Sequence, residues 1–146
     1  MKFWDSSALL SLLTSQSDAS DVEGVFRQDT QVVVWWGTRV ELVSGACRLV
    51  RESAGDDSVL TELLARIDRT VSEADEVEPA EHVRAAAIRV LRLHVLRAAD
   101  ALQLAAALVW TEHNPAGDGF VCLDKRLREA AAKEGFACLP RELKGG

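Results

Sequence analysis

At 146 residues, with 48% hydrophobic and 27% charged side chains, the chain has the length and composition of one folded domain spanning residues 1–146, and it lies far from the disordered class. Its net charge of −6 excludes a general basic field for coating nucleic acid, so a polyanionic substrate would have to be met by local cations or a metal ion. The longest apolar stretch, Ala98 to Trp110, is broken by Asp100 and Gln103 and is too short for a bilayer, and an acid already stands at Asp5, so the expectation is a cytoplasmic protein with no membrane association.

In chain order, Lys2 to Trp4 reads as a short strand, and Ser6 to Leu13 as a helix that Asp5 or a serine can cap. Asp18 to Arg27 is a weaker helix. "QVVVWW", residues 31–36, is continuously apolar, β-branched and aromatic, the pattern of a strand buried on both faces in a parallel sheet. Of the adjacent Trp35 and Trp36, one must face each way, so one is expected in the core and the other exposed.

Val40, Val43, Ala46, Cys47 and Val50 recur at helical spacing and predict a helix from Thr38 to Glu52; Asp57 to Val71 predicts another. The acidic "SEADEVEPAE", with Pro79, reads as a boundary before a helix from Ala80 to Val95. A nearly all-apolar helix over 98–110 follows, and then "NPAGDG" as a turn. "GFVCLD" reads as a strand, Lys125 to Glu134 as a helix with Gly135 as its C-cap, and "FACLP" as a last strand.

Strands alternating with helices predict an α/β three-layer sandwich with a parallel central sheet, whose ligands gather beyond the carboxyl ends of the strands. Asp5 and Asp124 follow strand candidates directly, and Glu41 sits about one helical turn beyond "VVVWW". Asp100 shares its helix face only with Gln103 as a polar neighbour, three residues on, and so needs a compensating partner. Each acid has a simpler reading. Asp5 and Asp124 could be helix caps, Glu41 a solvated first-turn acid, and Asp100 the partner of Arg97. None of these explains why all of them gather at the ligand-binding edge.

Three cysteines, Cys47, Cys122 and Cys138, lack paired spacing and are expected as buried thiols, and the three histidines form no zinc pattern. An aspartyl-phosphate phosphatase would need a second Asp where Ser7 stands, a receiver domain an acid where Gly37 follows the central strand, and dinucleotide binding a glycine fingerprint that is absent.

"DSSALL", "RVELVSG" around Glu41, "LRAADALQLAAAL" around Asp100 and "LDKRLREAAAKEGF" together resemble, over almost the whole chain, PIN-domain nucleases of the VapC-type toxins of toxin-antitoxin pairs. The resemblance implies a PIN-like fold and a metal-dependent single-strand endoribonuclease. Its catalytic carboxylates, matched at Asp5, Glu41, Asp100 and Asp124, would hold Mg²⁺ or Mn²⁺. It also implies an antitoxin protein that blocks the site, and leaves room for a homodimer. The family usually places a small hydroxyl residue two before the last acid, where this chain has Cys122.

The chemistry agrees, because carboxylate oxygens suit Mg²⁺ and a bound water can attack phosphorus without a histidine. Arg39, Arg97, Lys125, Arg126 and Arg128 flank the acids and are the candidate RNA phosphate contacts. The alternative reading is a catalytically degenerate domain of the same fold that only binds a partner protein.

Overall fold

The computed structural model describes residues 1–15 and 19–143. Among them lie five strands, β1 (Lys2–Trp4), β2 (Val32–Trp35), β3 (Asp75–Val77), β4 (Gly119–Val121) and β5 (Ala137–Leu139). The helices are α1 (Ser6–Thr14), α2 (Ala19–Gln28), α3 (Thr38–Glu52), α4 (Asp57–Glu73), α5 (Glu81–Leu93), α6 (Ala98–Trp110) and α7 (Lys125–Glu134). The predicted elements are all present. The weak second helix begins at Ala19, and its expected first residue, Asp18, lies outside the described residues.

The strands form one parallel sheet in the order β3-β2-β1-β4-β5. Side chains alternate across it. Phe3, Val33, Trp35 and Phe120 pack with α5, α6 and α7 on one face, whereas Trp4, Val32, Val34 and Val121 pack with α1 to α4 on the other. The result is the three-layer α/β sandwich expected. Phe3 and Phe120, paired in register on neighbouring strands, stack with centroids 5.5 Å apart, and Phe120 also contacts Phe136. Trp35 is buried and Trp36 is 53% exposed, as the alternation requires.

Two expectations need correction. The acidic boundary segment contains β3, whose Asp75, Glu76 and Val77 pair with Val33, Val34 and Trp35. Propensity disfavours a strand there, but β3 is a sheet edge, where charged residues are tolerated and discourage further pairing. Of the cysteines only Cys122 is fully buried; Cys47 and Cys138 are partly exposed, and all three are free thiols.

Gly135 ends α7 at φ 111°, in the left-handed region, and donates its amide to Ala132. A Cβ there would lie 3.1 Å from Pro115 Cγ. Gly135→Ala is therefore expected to cost about 1–2 kcal/mol in chemical denaturation, with no change in the denaturant slope.

Among the described residues no single helix is long and apolar enough to cross a membrane; α5 and α6 meet the length and composition only as a pair bent by 120°. Most of α6 is buried against the sheet.

Candidate functional site

The chain winds outward from β1 through β2 to β3, then returns to place β4 on the other side of β1. The strand order therefore reverses between β1 and β4, and crevices form beyond the carboxyl ends of strands at such a point. The Asp5 amide donates to the Val121 carbonyl at 2.9 Å, tying the two strand ends together directly below that crevice.

A cleft of about 1000 Å³ opens there, and Asp5, Glu41, Asp100 and Asp124 all line it. Ser6, Ser7, Ser44 and the cations Arg48, Arg97, Lys125 and Arg126 share its walls. A separate groove of about 330 Å³ by Trp35 and Pro79 contains only Glu81 as an acid, and that carboxylate pairs with Arg84.

Asp5 is 3% exposed and caps α1. Its Oδ2 accepts the Ser7 amide at 3.1 Å and the Ser7 hydroxyl at 2.5 Å, so the cap and the cleft acid are one residue. Burial drives its pKa above the ordinary value; the Ser7 and Cys122 hydrogen bonds oppose this, and Asp100 adds to it. Glu41 accepts from Ser6 Oγ at 3.0 Å on one oxygen and from Gln103 Nε2 at 2.9 Å on the other. Burial, with the charges of Asp5 and Asp100, raises its pKa against those two bonds.

Asp100, in the first turn of α6, is raised by burial and then by Asp124, while the Arg97 amide and guanidinium pull the other way. The reading of Asp100 as a salt-bridge partner of Arg97 is not realised, since among the described residues no ion pair joins them. Asp124 is exposed at the cleft and caps α7, its Oδ1 accepting the Leu127 amide at 3.0 Å. The acids thus form an electrostatically coupled chain from Glu41 through Asp5 and Asp100 to Asp124.

Cys122 bears on Asp5 more than on Asp124. Its Sγ lies 3.5 Å from Asp5 Oδ2, and it meets Asp124 only through the main chain, accepting that amide at 3.3 Å. Burial and the Asp5 charge push the thiol far up, so it stays protonated and can donate to the carboxylate.

Two of the flanking cations lie elsewhere. Arg39 pairs with Asp68 of α4 at 2.7 Å and is absent from the cleft wall, because residues two apart on a helix point to different sides and Arg39 cannot share the Glu41 face. Arg128 donates to the carbonyls of Cys122 at 2.9 Å and Pro140 at 2.7 Å, clamping the ends of β4 and β5. The sequence reading missed Arg48. Its signal was the spacing of seven from Glu41, two turns along the same face of α3. Ser6 and Ser7 stand within "DSSALL", but nothing in that run announces the bonds of Ser6 to Glu41 and of Ser7 to Asp5.

The donor set suits a hard divalent cation: all the acids present carboxylate oxygens, and their mutual repulsion is what such an ion relieves. Among the described residues no group of three or more His, Cys, Asp or Glu stands at the spacing of a metal cage. Bonds from Ser7, from Ser6 and Gln103, and from the Leu127 amide fix the Asp5, Glu41 and Asp124 carboxylates individually. Mg²⁺ does not demand such a cage, since it is commonly held by one or two carboxylates with waters and substrate phosphates. The residues therefore fit.

No family model and no curated protein matches the sequence. Among solved structures, the chain is similar to a chain of a toxin-antitoxin complex from Klebsiella pneumoniae, with a TM-score of 0.68 and 13% identity. The match covers 98% of this chain and 99% of that one, so the likeness in fold runs over the whole domain.

Proposed function

We propose that this protein is a metal-dependent endoribonuclease of the PIN-domain, VapC type, the toxin of a type II toxin-antitoxin pair. The observation that carries the reading is the gathering of Asp5, Glu41, Asp100 and Asp124 on one cleft at the reversal point of a parallel sheet. Asp5 and Asp100 would hold Mg²⁺ or Mn²⁺ directly, Glu41 would be a further ligand or orient the attacking water, and Asp124 would complete the negative field on the α7 side. When bound, the ion supplies a water activated for attack on phosphorus and offsets charge on the phosphoryl oxygens.

The chain's own residues do the rest. Ser6 and Gln103 orient Glu41, and Ser7 and Cys122 orient Asp5. Arg48 of α3, Arg97 ahead of α6 and Lys125 and Arg126 of α7 line the same cleft as the acids and offer phosphate contacts. A strand passing through would be positioned without base recognition, which suits cleavage within a chain. The toxin role and an antitoxin partner are supported by the whole-length likeness to a chain of a toxin-antitoxin complex.

The test is incubation of the purified protein with a mixed pool of single-stranded and structured RNA, with Mg²⁺, with Mn²⁺ and with chelator. Cleavage to internal fragments that requires metal is the expected result. Intact RNA under every metal, together with unimpaired growth of cells expressing the protein, would leave only the protein-binding reading.

A further inference from the structure

α6 is built almost entirely from Ala, Leu and Val, yet Gln103 stands at its centre with 0% exposure. Its two amide protons are both used: Nε2 donates to Thr38 Oγ1 at 2.9 Å and to Glu41 Oε2 at 2.9 Å. Its carbonyl oxygen, Oε1, is buried with no hydrogen-bond partner among the described residues. A side chain serving only to fill the interior beneath α6 would be Leu or Met, without an orphaned carbonyl whose desolvation nothing offsets.

Thr38 is itself fully buried and begins α3, so it fixes the amide plane of Gln103, and that plane fixes Glu41. Ser6 of α1 holds the other Glu41 oxygen. The Glu41 carboxylate is thereby suspended between donors from two elements, α1 and α6. Rotation of the carboxylate about its last bond, otherwise a soft torsion, would break one bond or the other.

We infer that Gln103 is a positioning residue, which with Ser6 locks the Glu41 carboxylate in the orientation that receives a divalent cation. The inference rests on the metal-site reading above and adds the residue on which the affinity of that site depends. Outer partners of ligating carboxylates commonly govern metal affinity by about ten- to a hundredfold.

The test is Mn²⁺ titration of the metal-free protein, followed by the spin-resonance signal of free Mn²⁺, in wild type, Gln103→Met, Ser6→Ala, Glu41→Gln and the Gln103→Met/Glu41→Gln double variant. Gln103→Met keeps volume and flexibility in the core while removing the donors. It is expected to raise the Mn²⁺ dissociation constant about tenfold or more. Ser6→Ala, at a half-buried site, is expected to do the same and keeps the test open if Gln103→Met fails to fold. In the Glu41→Gln background Gln103→Met should add nothing, because its effect passes through Glu41.

Unchanged Mn²⁺ affinity in Gln103→Met, or in Ser6→Ala where Gln103→Met does not fold, overturns the assignment while leaving the metal site standing. So does an additive double variant. If wild type itself fails to bind Mn²⁺, the metal-site reading falls and this one falls with it.

Discussion

Asp5→Asn is expected to raise the melting temperature of the metal-free protein and to abolish metal-dependent RNA cleavage. The two effects have one cause. Asp5 is buried, and its charge is disfavoured first by desolvation and then by Asp100, so at neutral pH the folded chain carries an unfavourable carboxylate that Asn replaces with a neutral side chain of the same shape. The helix cap is retained, since Asn accepts from the Ser7 amide as well as Asp does. Cleavage loses a direct ligand. If the ion contributes roughly 4 kcal/mol to stabilising charge in the transition state, its loss is about a thousandfold in rate. Calorimetry of the metal-free proteins and a fragment assay on the same preparations measure both. A variant that melts lower and cleaves normally would reduce Asp5 to a helix cap.

The metal-free protein is expected to lose stability as the pH rises from about 4 toward neutrality, and Mn²⁺ or Mg²⁺ to restore it. Asp5, Glu41 and Asp100 all have folded pKa values raised above 3.8 for the aspartates and 4.5 for the glutamate. Between those values and the raised ones the folded chain binds more protons than the unfolded chain. The stability linked to these groups is therefore complete below the ordinary values and is lost as pH rises through the folded ones.

Glu134 acts in the opposite sense. Burial, the largest single influence, would raise it, but the hydrogen bonds and charges of Arg89 and His94 together lower its pKa, so its contribution disappears as pH falls through the folded value. Stability should peak in mildly acidic solution.

At neutral pH a divalent ion at a hundredfold excess over its dissociation constant adds about 2.7 kcal/mol. For a chain of this size that is roughly 5–10 °C. Asp100→Asn removes a charge that faces Asp5, Glu41 and Asp124, so it should melt above wild type without metal and gain much less on metal addition. Melting curves across pH 4–8, with and without metal, decide the matter. A destabilised Asp100→Asn that keeps the full metal response would make Asp100 a structural residue.

The sequence by itself determined the layering and the identity of the acids. Local chemistry sets both: "VVVWW" can only be a strand covered on both faces, the 3.6 spacing of α3 and α6 points their apolar sides inward, and Gly135 stops α7 through its own backbone freedom. Acids placed directly after strands must lie at the carboxyl edge of a parallel sheet, so Asp5 and Asp124 were readable without coordinates.

What only the tertiary structure decided are matters of which face meets which. β3 is a strand because the β2 edge needs hydrogen-bond partners, and "DEV" has no propensity that announces it. Helical spacing turns Arg39 away from Glu41 and keeps Arg48 on its face, but only the packing of α4 against α3 gives Arg39 its partner, Asp68. Cys122, judged by its distance from Asp124 along the chain, turns out to touch Asp5 across the β1–β4 junction. Gln103 was legible as a polar residue out of place, but its tie to Glu41, 62 residues away, exists only because α3 and α6, on opposite faces of the sheet, come together beyond its carboxyl edge. Side-chain periodicity fixes which way a residue points, and only the packing of elements distant in sequence fixes what it meets there.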